Sequence, residues 1–184
     1  RGWEVVINGS VVSEYALSFN GTDECVEIQD IAALRLNGTN SSFGYWVKLG
    51  SLSGGDGKMI AKGITAGAGS SAYQIRTDDT DLLFQIYASA AWRTVTASGF
   101  FTDLSWVHVV ITMSDSNIVT IYKNGSSVHS EDIGYPIDAN TGELMLGSSA
   151  ALANFLGGEM DEVAIWNVAL DADAVAAVYN SGSP

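Results

Sequence analysis

The chain has 184 residues, 47% of them hydrophobic, so it is long enough to bury the core of one domain and too apolar to be a disordered tail. Its 21 acidic and 8 basic side chains give a formal net charge of −13, and a surface of that sign repels phosphate, so we expect no nucleic-acid partner. No apolar run approaches the ~20 residues that a membrane helix needs, so we expect no membrane insertion.

Short runs of alternating apolar and polar residues, separated by clusters of Gly, Asn, Asp and Ser, predict β-strands joined by turns. In chain order, the predicted strands cover residues 15–19, 25–28, 43–49, 58–63, 72–78, 82–88, 93–98, 106–114, 117–132, 142–147 and 159–167. Asn124 and Gly125 divide the run at 117–132, because an Asn-Gly pair between two alternating runs is typical of a tight hairpin.

Two segments have helical character. Residues 31–36 are predicted to form a turn or two at most, whereas residues 170–180 are predicted to form a short helix near 171–179. In that helix Asp171 can cap the first turn, and Val175, Val178 and Tyr179 share a face. Many short strands and one terminal helix predict an all-β fold, a two-sheet antiparallel sandwich of the jelly-roll type with one short C-terminal helix.

The domain organisation follows from what the sequence does not contain. It shows no internal repeat, no low-complexity linker and no shift in composition that would mark a boundary. Residues 1–184 are therefore predicted to be one domain with a core at about 15–180. Residues 1–14 are expected to form an extra strand or a lead-in.

Six phrases, taken in order, carry a resemblance to a known family. They are ALSFNGTDECVEI (16–28), FGYWVKL (43–49), WVHVVITMS (106–114), VTIYKNGSSV (119–128), LMLG (144–147) and GGEMDEVAIWNVALDADAVAAVY (157–179). Together they resemble the laminin G-like branch of the concanavalin A-like lectin/glucanase superfamily. The resemblance implies a concanavalin A-like sandwich, but this fold hosts lectins, adhesion modules, lyases, hydrolases and virion parts, so it does not fix the function.

The family includes laminarinase-type glycoside hydrolases, whose catalytic strand reads Glu-apolar-Asp-x-Glu. Glu159, Met160 and Asp161 match the first three positions, but Val163 stands where those enzymes place the acid/base carboxylate. Alternation puts Glu162 on the opposite face from Glu159 and Asp161. A retaining mechanism needs two carboxyl groups about 5–5.5 Å apart across the scissile bond. We therefore expect no glycosidase activity, and a hydrolase or lyase that takes a carboxylate from another loop is an alternative.

A calcium site is implied by the same resemblance. Laminin G-like domains often hold a structural calcium where the turn after the first strand approaches the closing strand, and Ca²⁺ takes six to eight oxygen ligands. In this sequence Asn20 and Asp23 lie in that turn and Asp161 lies on the closing strand, so these three are the predicted metal ligands. Glu162 is predicted to be a surface charge. The alternative is a solvated acidic sheet edge without a metal.

Carbohydrate binding is suggested by the strands between residues 72 and 98. Alternation places Arg76, Gln85 and Tyr87 on the polar face of these strands, and Trp92 follows in what reads as a loop. Sugars stack on aromatic faces and need planar polar groups at the edge of the ring. These four residues are the predicted ligand-binding set, with ordinary sheet surface and rim aromatics as the alternative interpretation.

One histidine and three tryptophans that could belong to a catalytic or binding site are predicted to have structural roles instead. His108 lies in WVHVV without a partner at recognisable spacing, which favours a histidine held on the sheet. Trp46, Trp106 and Trp166 lie in apolar strands and are predicted to belong to the core.

These observations favour a non-catalytic module that recognises a glycan or a protein surface, is stabilised by calcium, and belongs to a secreted, cell-surface or virion protein. The alternative from a different class is a structural assembly or decoration domain of a virion or fibre, in which the fold supplies a homo-oligomer interface. A glycoside hydrolase or lyase is the third possibility.

Overall fold

The computed structural model describes residues 15–38, 40–63 and 71–179. Within them the chain forms a series of β-strands, one 3-10 turn at Ala32–Leu34 and one α-helix, α1, at Ala172–Tyr179. The strands are β1 (Leu17–Asn20), β2 (Val26–Ile28), β3 (Ser41–Leu49), β4 (Lys58–Gly63), β5 (Ser71–Asp78), β6 (Asp81–Ala88), β7 (Ala91–Ala97), β8 (Val107–Met113), β9 (Ile118–Lys123), β10 (Ser126–Asp132), β11 (Leu144–Leu146) and β12 (Gly157–Trp166). The extra strand or lead-in predicted for residues 1–14 lies outside the described residues.

The strands form two six-stranded sheets with antiparallel neighbours throughout the described residues. Sheet 1 has the order β1-β12-β3-β8-β9-β10, and sheet 2 has the order β2-β11-β4-β5-β6-β7. The first and last described strands are neighbours, so β1 pairs with β12 and closes the domain. The predicted two-sheet antiparallel sandwich is confirmed.

The main core lies between the two sheets and is built by alternation along the strands. Phe43 of sheet 1 is fully buried against two rings of sheet 2, with its centroid 4.9 Å from that of Tyr73 and 5.6 Å from that of Phe84. Burying a side chain of this size stabilises the fold by roughly 1.5–3 kcal/mol. The same alternation turns every second residue of β5, β6 and β7 away from the core, and those residues form the outer face of sheet 2.

Helix α1 covers part of the outer face of sheet 1. Val175 is fully buried against Val110 and Tyr122 of the sheet. Asp171 caps the helix, since its Oδ1 accepts a hydrogen bond from the amide of Ala174 at 2.8 Å. The predicted C-terminal helix and its cap are therefore confirmed. No helix among the described residues is long and apolar enough to cross a membrane.

The end of α1 also covers a small aromatic cluster. Trp46 and His108 are almost completely buried, with ring centroids 5.0 Å apart, and the ring of Tyr179 lies 5.8 Å and 5.6 Å from them. Burial lowers the pKa of His108 from 6.5 to about 4, so its ring is neutral at pH 7. His108 thus holds a structural position. Trp46 is buried as predicted, but under the helix, and Trp106 and Trp166 are only half-buried.

Candidate functional site

The outer face of β5, β6 and β7 carries a set of polar and aromatic side chains, which we call the outer platform. It consists of Gln74, Arg76, Gln85, Tyr87, Trp92 and Thr94. The strand register places Gln85 between Gln74 and Thr94, and it places Tyr87 directly opposite Trp92. The structure therefore brings the four residues predicted to bind a ligand onto one face of one sheet. Trp92 is not in a loop, however, because β7 begins at Ala91.

Gln85 is the centre of the polar part of the platform. Its Oε1 accepts hydrogen bonds from Gln74 Nε2 at 2.6 Å and from Arg76 Nε at 3.0 Å, and its Nε2 donates to Thr94 Oγ1 at 2.8 Å. The side chain is 9% exposed, so these bonds hold it in one orientation. Sequence reasoning did not select Gln74 or Thr94, since only the cross-strand register shows that they flank Gln85.

The aromatic part of the platform is the pair formed by Tyr87 and Trp92. Their ring centroids are 5.5 Å apart and their planes meet at 79°. This is an edge-to-face arrangement, which the quadrupoles of aromatic rings favour. Trp92 is 40% exposed, so part of its apolar surface is open to solvent. A half-exposed indole held in place by a second ring is suited to stacking against the apolar face of a ligand.

The turn that carries this aromatic pair is unusual in its residues. Ser89 and Ala90 connect β6 to β7 with φ angles of 50° and 60°. Positive φ at both positions fits the right-handed twist of a two-residue hairpin, but that conformation is normally taken by Asn and Gly. A non-glycine residue in this region costs of order 1–3 kcal/mol, which the sheet on either side must offset.

The cation of the platform is held by carboxylates. Arg76 Nη1 lies 3.3 Å from Asp56 Oδ1 and 3.7 Å from Asp78 Oδ2. Asp56 also accepts two hydrogen bonds from Lys58 Nζ, at 2.8 Å and 3.0 Å. Burial lowers the pKa of Lys58, and its hydrogen bonds to Asp56 oppose that shift. The edge of the platform is thus an ion network in which each cation has at least one carboxylate partner.

The predicted calcium ligands do not come together as one group. Asn20 and Asp23 form a closed turn, in which Asn20 Nδ2 donates to Asp23 Oδ1 at 2.8 Å and Asn20 Oδ1 accepts from the amide of Asp23 at 3.1 Å. The register places Asn20 opposite Gly157, whereas Asp161 lies four residues further along β12. At ~3.3 Å per residue this separation is about 13 Å, too long for a shared cation.

Among the described residues, no group of three or more His, Cys, Asp or Glu side chains is placed to hold a metal ion. The three predicted ligands therefore do not fit a single calcium ion in this structure.

The carboxylates of β12 have separate structural roles. Glu159 Oε1 accepts a hydrogen bond from Lys48 Nζ of β3 at 3.1 Å. Asp161 Oδ1 accepts one from the amide of Glu162 at 2.8 Å. Glu162 itself is exposed and has a φ of 50°. Glu159 and Asp161 thus each have a hydrogen-bond partner within the protein, and Glu162 faces solvent.

A bulge in β12 overturns the alternation expected there. The pairing with β3 shifts between Asp161 and Ala164, and Glu162, within this irregularity, has a left-handed backbone conformation. Val163 then packs against the main core, and Glu162 is exposed to solvent. The regular alternation expected along this strand therefore does not hold between Asp161 and Ala164. The bulge also turns the position that would carry the acid/base residue inward.

Comparisons with solved structures show the same fold in several binding domains. Domain 4 of AbnA, a GH43 extracellular arabinanase from Geobacillus stearothermophilus, solved in complex with arabinotriose, matches with a TM-score of 0.68 and 18% identity over 94% of this chain and 79% of that chain. The binding domain of botulinum neurotoxin serotype G matches with a TM-score of 0.65 and 14% identity over 91% of this chain and 47% of that chain.

The binding domain of Paraclostridial Mosquitocidal Protein 1 matches with a TM-score of 0.64 and 14% identity over 91% of this chain and 47% of that chain. This chain therefore spans less than half of those last two chains. At these identities the likeness shows the fold alone.

No curated protein sequence matches the chain significantly. A family profile does match, over residues 20–176, which is most of the chain and includes the whole outer platform. Since the profile and the two-sheet sandwich agree, the chain belongs to the concanavalin A-like lectin/glucanases superfamily, in its Laminin_G_3 family.

Proposed function

We propose that this domain is a non-catalytic module that binds an oligosaccharide on the outer platform. The observation that carries the proposal is the fixed Gln85 network beside the half-exposed Tyr87–Trp92 pair. An aromatic ring offers a surface to the apolar face of a sugar, and amide and guanidinium groups can hydrogen-bond hydroxyls at its edge. Here both kinds of group lie on one face of the sheet.

Preorganisation supports this interpretation. Gln85 is held by three partners, so little side-chain entropy is lost when a ligand contacts the platform. The Tyr87 and Trp92 rings come from neighbouring strands, and rigid strands position a site more accurately than loops do. The solved relative in complex with arabinotriose supports a sugar as the ligand class, since it has the same fold.

The carboxylates of β12 favour binding over catalysis. Glu159 is paired with Lys48, and the position of the expected acid/base residue is filled by Val163, which packs against the core. A retaining hydrolase of the laminarinase type would need an acid/base carboxylate at position 163, and the side chain there is apolar. Location in a secreted, cell-surface or virion protein is part of the proposal.

A protein surface is the alternative partner, because the matched binding domains of botulinum neurotoxin serotype G and of Paraclostridial Mosquitocidal Protein 1 share the fold and their names specify no sugar. Assembly into a virion or fibre is a further alternative, and it requires a homo-oligomer interface. Size-exclusion chromatography with light scattering distinguishes the assembly alternative, since a sugar-binding module folds and binds as a monomer.

The proposal is tested by calorimetric titration with a panel of oligosaccharides that includes arabinotriose. Trp92→Ala should weaken binding of any sugar that the wild type binds by at least about tenfold, equivalent to ~1.4 kcal/mol. The matched control is Val178→Ala, which truncates an exposed apolar residue of α1 on the other sheet. Equal binding by wild type and Trp92→Ala would place the sugar elsewhere, and binding of no sugar at all would overturn the proposal.

A further inference from the structure

The cationic side chains of this domain are almost all occupied by partners within the protein. Of the 8 Lys and Arg residues in the sequence, all but Arg1 lie in the described part of the chain. Those in ion pairs with carboxylates are Arg35, Lys48, Lys58, Lys62 and Arg76. Lys123 donates to the carbonyl of Phe100.

Arg93 is the described cation without a carboxylate or carbonyl partner, and it does not face the platform. It lies opposite Ile86, a core residue, so its side chain is on the inner side of β7. There its guanidinium stacks over the ring of Tyr135, 4.2 Å from the centroid. The histidines add no cation to the platform, because His108 is buried in sheet 1 and His129 lies beside Glu131 on β10 of that sheet.

Arg76 is the one Lys or Arg among the six platform residues, its neighbour Lys58 at the edge is buried and paired with Asp56, and the charge of Arg76 is itself matched. Its Nε donates to Gln85, and its Nη1 lies near the carboxylates of Asp56 and Asp78. An anionic ligand would have to displace these carboxylates or lie next to them. It would also approach a chain with a net charge of −13, whose field repels anions over about a Debye length, ~8 Å at physiological ionic strength.

We infer that the platform selects neutral oligosaccharides and rejects those that carry carboxylate or sulfate groups, and that Asp56 and Asp78 set this specificity. This inference rests on the proposed function. The hydroxyls of a neutral sugar can accept from Arg76 and Gln74 and donate to amide oxygens without any change in the ion pairs. A uronate, a sialylated sugar or a sulfated sugar gains no free cation here and pays the repulsion of two nearby carboxylates.

The test compares matched neutral and acidic ligands by calorimetric titration at 50 mM and 500 mM NaCl. The neutral probes are arabinotriose and xylan, cellulose and galactan oligosaccharides, and the acidic probes are oligogalacturonate, sialyllactose and heparin oligosaccharides. We expect the domain to bind a neutral probe at least about tenfold more tightly than any acidic one, with an affinity that changes little with salt.

A pair of variants tests the role assigned to Asp78. Asp78→Asn removes a carboxylate that is 57% exposed, and it should raise the affinity for acidic probes by about two- to fivefold at low salt. Glu162→Gln makes the same change in net charge on sheet 1 and should leave that affinity unchanged. Asp56 is less suitable for this substitution, because it also pairs with the buried Lys58, which the change would leave without its carboxylate partner.

The outcomes separate the inference from the proposed function. Tight, salt-sensitive binding of an acidic probe would overturn the inference while the sugar-binding function stands. An equal response of Asp78→Asn and Glu162→Gln would show that net charge sets the preference, and it would overturn the role of Asp78. If wild type binds none of the probes, the proposed function fails and the inference fails with it.

Discussion

The rings of Tyr87 and Trp92 meet edge to face across the β6–β7 ladder, with centroids 5.5 Å apart, at the end of a hairpin whose turn has two non-glycine residues at positive φ. The geometry of the aromatic pair and the conformation of the turn therefore both depend on the pairing of β6 with β7. Two registered strands fix the rings, and the sheet offsets the cost of the turn. A substitution in the turn should thus change the free energy of unfolding while leaving the positions of the two rings largely as they are.

Replacing Ala90 by glycine should stabilise the protein. Ala90 has a φ of 60°, a conformation that costs an alanine free energy and costs glycine little. We expect Ala90→Gly to raise the free energy of unfolding by roughly 0.5–1 kcal/mol, measured by urea denaturation. Ala91→Gly is the control, since Ala91 begins β7 and glycine weakens a strand. A loss of stability in Ala90→Gly would mean that the turn is not strained.

Removing the amide of Gln85 should cost both stability and binding. Gln85→Leu leaves Gln74, Arg76 and Thr94 without the partner that each has now. Leaving such groups unpaired at a poorly solvated site lowers the free energy of unfolding by about 1–3 kcal/mol. Thr94→Val removes one hydrogen bond from an exposed position and should cost less than 1 kcal/mol. Equal denaturation curves for wild type and Gln85→Leu would contradict the network.

Much of the fold could be predicted from the sequence because alternation and turn residues are local signals. The Asn124-Gly125 turn, the cap at Asp171 and the strand β4 all lie where the residue pattern places them. The position of Arg76, Gln85 and Tyr87 on one face was also predicted, since period-two alternation fixes the face without any knowledge of the neighbours.

What the sequence could not show depends on register between distant strands. No residue pattern near Asn20 indicates that it lies opposite Gly157, four residues from Asp161 along β12. The sequence alone was therefore compatible with one metal ion shared by Asn20, Asp23 and Asp161. The bulge after Asp161 is also invisible in the pattern, because a strand with one extra residue keeps the same composition. The partners of Gln85 and the ion pairs of Arg76 likewise come from cross-strand pairing.

The free energy of unfolding should decrease as the pH is lowered from about 6.5 to 4, because His108 is harder to protonate in the folded protein than in the unfolded chain. Burial lowers the pKa of His108 to about 4, against 6.5 for an unperturbed ring. As pH falls from about 6.5 to 4, the unfolded chain takes up a proton that the folded chain does not, so stability decreases and then levels off. At about 1.4 kcal/mol per pKa unit, the loss is on the order of 1–3 kcal/mol.

The variant His108→Phe keeps a ring beside Trp46 and removes the titration. Urea denaturation at pH 7.5, 5.5 and 4.5 should show a smaller loss for His108→Phe than for wild type over this range. Hydrogen bonds lower the pKa values of Asp30 and Asp103 below 3.8, so these groups cost stability only at more acidic pH. Parallel pH profiles for the two proteins would exclude His108 as the cause.

Restoring the hydrolase motif should not create an enzyme. Val163→Glu completes the Glu-apolar-Asp-x-Glu pattern, but position 163 faces the core after the bulge in β12. The new carboxylate would be partly buried without a partner, so the free energy of unfolding should fall by roughly 2–4 kcal/mol. Hydrolysis of β-glucans by the purified variant, measured as release of reducing ends, should stay at background. Val163→Ala controls for the loss of packing.

Stabilisation by calcium stays a prediction, and the structure narrows which residues could provide it. A cation that binds the native state alone stabilises it by about 2.7 kcal/mol at 100 times Kd, which raises Tm by several degrees. Since the three predicted ligands do not fit one ion, such a rise requires an ion held either at the turn of Asn20 and Asp23 or on β12. Since Asp161 lies about 13 Å along the sheet from the turn of Asn20 and Asp23, one ion cannot use both places, so only one of Asp23→Asn and Asp161→Asn should remove the rise. Scanning calorimetry with EDTA, calcium or magnesium measures the effect. Equal Tm values of wild type in EDTA and in calcium would show that no such ion stabilises the domain, and a loss confined to Asp161→Asn would show that the ion lies on β12.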